Sequence, residues 1–140
     1  MKSLTFAGFA LSLGLLLSGC GHLDTTPPAS ADRVLNGTVD HAGEELPDGS
    51  EVIVRVVDFS RGENRGEVLG EATIANPGRM PVPFRIEYRA EDAQLLRTVN
   101  VEARVSVGGQ LRYTTTTAHP VTIGNVNDAL VISVQAATKH

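Results

Sequence analysis

Residues 99–107, VNVEARVSV, place Val99, Val101, Ala103, Val105 and Val107 at every second position, with Asn100, Glu102, Arg104 and Ser106 between them. Successive side chains of a strand point to opposite faces, so this spacing makes one face apolar and the other polar. A helix would scatter the same valines around its circumference. The apolar face needs cover, and six other runs have the composition to supply it: 34–40, 51–59, 68–75, 84–89, 111–117 and 130–138. Between them lie LPDGS at 46–50, RGENRG at 61–66, NPGRMP at 76–81 and GNVND at 124–128, with Gly, Pro or Asn where turns need them. The chain has no tryptophan and only 4% aromatic residues, so its core must be built from Val, Ile, Leu and Ala. The expectation is an all-β protein: one small antiparallel β-sandwich of about seven strands over residues 33–138, without a helix.

Three stretches carry finer expectations. In 51–59, Val52, Val54 and Val56 share one face while Ile53, Val57 and Phe59 share the other, which suits a strand that is central or covered on both sides. After Val107, the apolar face can continue through Leu111, Tyr113, Thr115 and Thr117, with Arg112, Thr114 and Thr116 facing out. A two-residue Gly108-Gly109 turn would set Val105 opposite Arg112 and mix the faces, so parity favours a three-residue loop of Val107, Gly108 and Gly109 with Gly109 left-handed. RMPVP at 79–83 reads as an edge or loop that presents Met80 and Val82 outward, as a sheet-edge guard in preference to a partner site, since two prolines prevent regular ladder pairing.

The N-terminal end differs in kind. After Met1, Lys2 and Ser3 the chain is uncharged from Leu4 to Gly21, and its apolar run to Leu17 has the length of a signal-peptide core. That is short of the roughly 20 residues that cross a membrane. At the end of this run, Leu17, Ser18, Gly19 and Cys20 resemble a bacterial lipobox. The resemblance implies that a peptidase recognises Leu17, Ser18 and Gly19 and cuts before Cys20, whose thiol carries a diacylglycerol. Cys20 is the only cysteine, so no disulfide forms within the chain, and a thiolate is a suitable nucleophile for alkylation. Residues 1–19 are thus expected to be a lipoprotein signal peptide, and 20–32 the lipidated cysteine with a flexible tether. Each buried methylene adds about 0.8 kcal/mol, so several acyl chains on one residue make a lasting membrane anchor. By the sorting rule known for enterobacterial lipoproteins, Gly21 resembles the class sent to the outer membrane, where the domain would face the periplasm. Residues 21–32, GHLDTTPPASAD, are polar and contain Pro27 and Pro28, and could reach roughly 40 Å when extended.

Without residues 1–19 the chain holds 11 Lys plus Arg against 16 Asp plus Glu, a formal charge of -5. No basic tract is present, so nucleic acid is not an expected partner. Histidines stand at 22, 41, 119 and 140 with no ligand spacing, and neither a metal site nor a cofactor is expected. His119 could in principle join a carboxylate and a hydroxyl in a triad, but no serine lies in a nucleophile elbow or beside a glycine-rich oxyanion segment. His119 is read as a surface residue at a strand end, and no catalytic residue is assigned. The run Thr114–Thr117 is read as strand-forming threonines on a half-exposed face, and the acceptor pattern Asn36-Gly37-Thr38 as accidental in a bacterium.

Read in order, LNGTV, LPDGSEVIVRVVD, PVPFRIEY and VEARVSVGGQLRYTTTTAHPV resemble the YbaY/YscW family of bacterial lipoproteins over roughly residues 34–135. The resemblance implies a small β-sandwich on a lipid tether with no enzymatic site. Some members are pilotins, which escort a type III secretion secretin to the outer membrane; others are envelope lipoproteins. The expected function is that of a non-enzymatic protein-binding or chaperone module, with the membrane and a secretin or other envelope protein as partners. The alternative is a general envelope lipoprotein with a glycan-binding or envelope-maintenance role unrelated to type III secretion, or a small envelope enzyme; a concave polar pocket with clustered carboxylates would favour the glycan-binding or enzyme reading.

Overall fold

The computed structural model describes residues 33–138, so Cys20, Leu17, Ser18, Gly19, Gly21, His22 and His140 lie outside the described residues. The described chain forms strands β1 (Arg33–Asp40), β2 (Ser50–Asp58), β3 (Glu67–Ala75), β4 (Val82–Tyr88), β5 (Val99–Val107), β6 (Gln110–Thr114), β7 (Leu130–Ser133) and β8 (Gln135–Ala136), with one helical turn, α1 (Asp92–Leu95). They make two sheets, of order β4-β1-β7 and β3-β2-β5-β6-β8. The all-β sandwich read from the alternating pattern is the observed fold.

The alternation of β5 does what its spacing demands. Val99, Val101, Ala103 and Val105 are buried, and Val105, Ala103 and Val101 face Val52, Val54 and Val56 across the β2–β5 ladder. From the other sheet, Leu35 and Val39 of β1, Phe84, Ile86 and Tyr88 of β4 and Ile132 of β7 close the core. β2 is central, between β3 and β5. Its second face is covered only near its end, where Val57 is buried while Ile53 and Phe59 are half-buried. A Cβ at Gly66 would come within 2.5 Å of Val57, so glycine there lets the 59–66 loop lie on that side.

Several expectations are corrected. The last run, 130–138, is two strands: buried Val134 donates its N–H to Asp40 O and turns the chain from one sheet to the other. The pairing of β7 with β1 is parallel, while the other named pairings are antiparallel. The helical turn α1 leaves no mark in the sequence, because four residues are too few to show a period. It starts with Gln94 Oε1 accepting the Glu91 N–H at 2.8 Å and buries Leu95.

The β5–β6 hairpin has a two-residue turn, Gly108-Gly109, both with positive φ, and Val107 faces Gln110. Parity is restored inside the ladder instead. Val105 faces Tyr113 and Ser106 faces Leu111, which leaves Arg112 as the extra residue of a bulge. Tyr113 is therefore buried as expected, whereas Leu111 lies before the bulge and is 45% exposed. Strand β6 ends at Thr114, so Thr115–Thr117 do not continue the face.

Met80 and Val82 are also corrected, since both point inward and are 1% exposed. The edge reading of their prolines holds. In an antiparallel pair, backbone groups of alternate residues point toward the partner. Asp40 O serves Val134 on the β7 side, so Thr38 also points its backbone there, and Pro83, opposite Thr38, turns its missing N–H to the free side of β4. At the other end of β4 the edge is sealed by β3, because a Cβ at Gly70 would sit 2.6 Å from Glu87 O.

Candidate functional site

Three polar groupings stand out among the described residues. The first lies where β1 ends. His41 Nδ1 is 2.8 Å from Val134 O, its Nε2 is 3.8 Å from Glu44 Oε2, and its ring is 4.7 Å from that of Tyr113. The Tyr113 hydroxyl donates to Glu44 Oε2, and this bond, together with burial, pushes the phenol above its ordinary range. The cluster ties the β1–β2 loop to β6 and to the crossing at Val134. Tyr113→Phe is expected to lower stability by about 1 kcal/mol, the usual net value of one hydrogen bond. A urea midpoint equal to that of the wild type would contradict this role.

The second grouping centres on Asp58, which is 3% exposed at the end of β2. It accepts from Ser60 N at 2.8 Å, Ser60 Oγ at 3.1 Å, Gln94 Nε2 at 2.9 Å and Thr98 Oγ1 at 3.0 Å. Burial alone pushes its carboxyl up, but these donors outweigh it and hold the group below the ordinary carboxylate range. Sequence reading missed Asp58. Its Asp-x-Ser spacing to Ser60 is the local signal of a side chain that turns back on its own backbone.

The third grouping is at His119. Its Nε2 accepts the Ser133 N–H at 3.2 Å, and its buried Nδ1 has no partner among the described residues. Among the described residues no carboxylate is bonded to His119, and His41 and His119 belong to separate groupings. Among the described residues no three His, Cys, Asp or Glu side chains gather as a metal site.

Several clefts open on the surface of the sandwich. One of about 430 Å³ lies beside Phe59, Glu63, Arg97 and Asn100, and one of about 220 Å³ beside Phe59, Asn100, Glu102 and Thr115–Thr117. Each of these contains a single carboxylate, whereas a cleft of about 420 Å³ beside β3 and α1, lined by Glu67, Val68, Leu69, Arg89, Glu91 and Gln94, holds two. Two more flank β7: about 300 Å³ beside Gly37, Phe84 and Leu130, and about 200 Å³ between His119-Pro120 and Ile132. Val131 lines both and is 63% exposed. Apolar surface beside a sheet edge suits contact with another polypeptide better than bond-making chemistry. Sequence reading did not locate this surface.

A family model described as "Type III secretion system lipoprotein chaperone (YscW)" matches residues 30–133. The comparison with curated proteins returns no match. Among solved structures, an alternative pilotin from the type II secretion system of Vibrio cholerae is similar with a TM-score of 0.66 and 22% identity, over 76% of this chain and 98% of that one. At that identity the likeness is one of fold.

Proposed function

Because this chain belongs to the family of type III secretion system lipoprotein chaperones, we propose that it acts as a pilotin-like module, binding a secretin without enzymatic chemistry and holding it at the outer membrane through a lipid on Cys20. The observation that carries this reading is the extent of the family match, which spans nearly the whole sandwich from before β1 to the end of β7. The groupings around His41, Asp58 and His119 support it by being structural ties and caps, which leaves apolar surface at a strand edge as the means of contact. The lipobox-like Leu17-Ser18-Gly19-Cys20 supplies the anchor, and Gly21 fits the outer-membrane class. Residues 21–32 then let the sandwich stand clear of lipid headgroups on the periplasmic face.

The test is a pull-down from detergent-solubilised envelope with the lipidated protein, beside a Cys20→Ala form. Wild type is expected to sediment with outer membranes and to recover a secretin. The Cys20→Ala chain is expected to leave the membrane fraction almost completely, and secretin delivery to the outer membrane to fail in that strain. Sedimentation of Cys20→Ala with the membrane would contradict the anchor. Secretin assembly that survives deletion of the gene would end the pilotin reading.

A further inference from the structure

The three-stranded sheet treats its two outer strands differently. On β4 the free edge carries Pro83, with Pro81 just before the strand, and Gly70 of β3 closes on its far end. On β7, LVIS, there is neither a proline nor a charge. A row of unpaired N–H and C=O groups is a template for another strand, and edges are guarded by prolines, charges, bulges, short length or a covering segment; β7 has only its four-residue length and the His119-Pro120 segment beside it. Val134 N bonds Asp40 O while Ser133 N points the other way, to His119. By alternation Val131, like Ser133, directs its N–H and C=O away from β1. Val131 sits in a row with Thr38, which is half-buried, and Pro83, which like Val131 is exposed. The cleft of about 200 Å³ runs between this edge and His119-Pro120.

His119 is the cap on that edge, and an imperfect one. Accepting the Ser133 N–H through Nε2 puts the ring proton on Nδ1, which is buried and unpartnered among the described residues. A backbone carbonyl arriving at Ser133 would take over the N–H and free the ring to reach water. Charge limits what can arrive: from Tyr113 to Thr138 there is no Lys or Arg, while Asp128 precedes β7 and Asp40 lies level with Ser133.

We infer that the outer edge of β7 is a docking edge for an extended, neutral or basic segment of a partner protein, which adds to the β4-β1-β7 sheet as a fourth strand and displaces His119 from Ser133. This rests on the protein-binding function proposed for the chain and gives it a surface.

The probe is a synthetic nine-residue peptide of alternating valine and threonine with a lysine at each end, titrated into the full-length chain in detergent. Binding is expected to slow amide exchange at Val131 and Ser133. Val131→Pro removes an N–H that the β1–β7 ladder does not use, and Val131→Lys adds an edge charge with the backbone intact. Each should weaken binding at least tenfold with an unchanged thermal midpoint, while His119→Ala should tighten it severalfold. Equal binding by both Val131 variants, unaltered exchange at Val131 and Ser133, or protection of those amides by a second copy of the chain without peptide would each overturn the inference. In the envelope pull-down, secretin recovered equally by wild type and Val131→Pro overturns this surface and leaves the pilotin reading standing. Peptide docking at Val131 with no secretin recovered supports the edge and ends that reading.

Discussion

A valine at position 37 is expected to abolish the cooperative unfolding transition of this protein or to move it by more than about 3 kcal/mol, the range of severe overpacking. Gly37 lies in the middle strand of the three-stranded sheet, paired with Phe84 of β4 and Leu130 of β7. A Cβ there would clash with Leu130 O and approach the Phe84 ring to 2.7 Å. The ring could move, but the carbonyl is backbone in the parallel ladder and cannot do so without separating β7 from β1. The same strand step delivers Val134 to the crossing between sheets, so both sheets would feel the loss. With total stabilities of about 5–15 kcal/mol for ordinary domains, the remaining margin would be small. Urea unfolding followed by circular dichroism reads the result, and a Gly37→Val midpoint close to wild type would show that β7 is not held against β1 as described.

Asp58→Ala is the second large effect, expected to cost about 2–4 kcal/mol, because hydrogen bonds to a charged group are each worth about 1.5–3 kcal/mol net and several donors are left behind. At roughly 4 °C or more per kcal/mol for a domain of this size, the thermal midpoint should fall by about 10 °C. The loss arises because one carboxylate holds three places together: the end of β2 through Ser60, α1 through Gln94 and the start of β5 through Thr98. The lowered pKa sets the pH dependence. Stability from Asp58 is fully present above the unfolded value, near 3.8, and is lost as pH falls through the lower folded value. In wild type, stability should therefore decline as pH drops below about 4, and Asp58→Asn should remove that component. Parallel acid profiles for the two proteins would refute the role given to Asp58.

Much of the fold is legible in the sequence for a physical reason. Burial on one face of a strand imposes period two, and the period survives in VNVEARVSV and in the Val52, Val54, Val56 set whatever their neighbours are. The family resemblance, carried by the order of LPDGSEVIVRVVD, PVPFRIEY and the other segments, is confirmed by the family match. The hairpin shows where such reading stops. Parity required that Val105 and Tyr113 share a face, and they do, yet parity is equally served by an odd loop or by a bulge. The chain uses the bulge at Arg112, which keeps Gly108-Gly109 as a tight turn with both residues at positive φ.

The sequence by itself determined the strand content, the inward faces of β2 and β5, the guarding prolines near β4 and the lone cysteine ahead of a polar, proline-bearing stretch, because each is a local pattern of residue types. Only the tertiary structure decided that β7 runs parallel to β1, that Val134 carries the chain from one sheet to the other, that Met80 and Val82 point inward, and that Asp58 gathers donors from residues up to 40 positions away. It also decided that β7 presents its edge beside His119. These depend on which distant segments meet, and an alternating pattern states which face a side chain takes without stating what lies across from it.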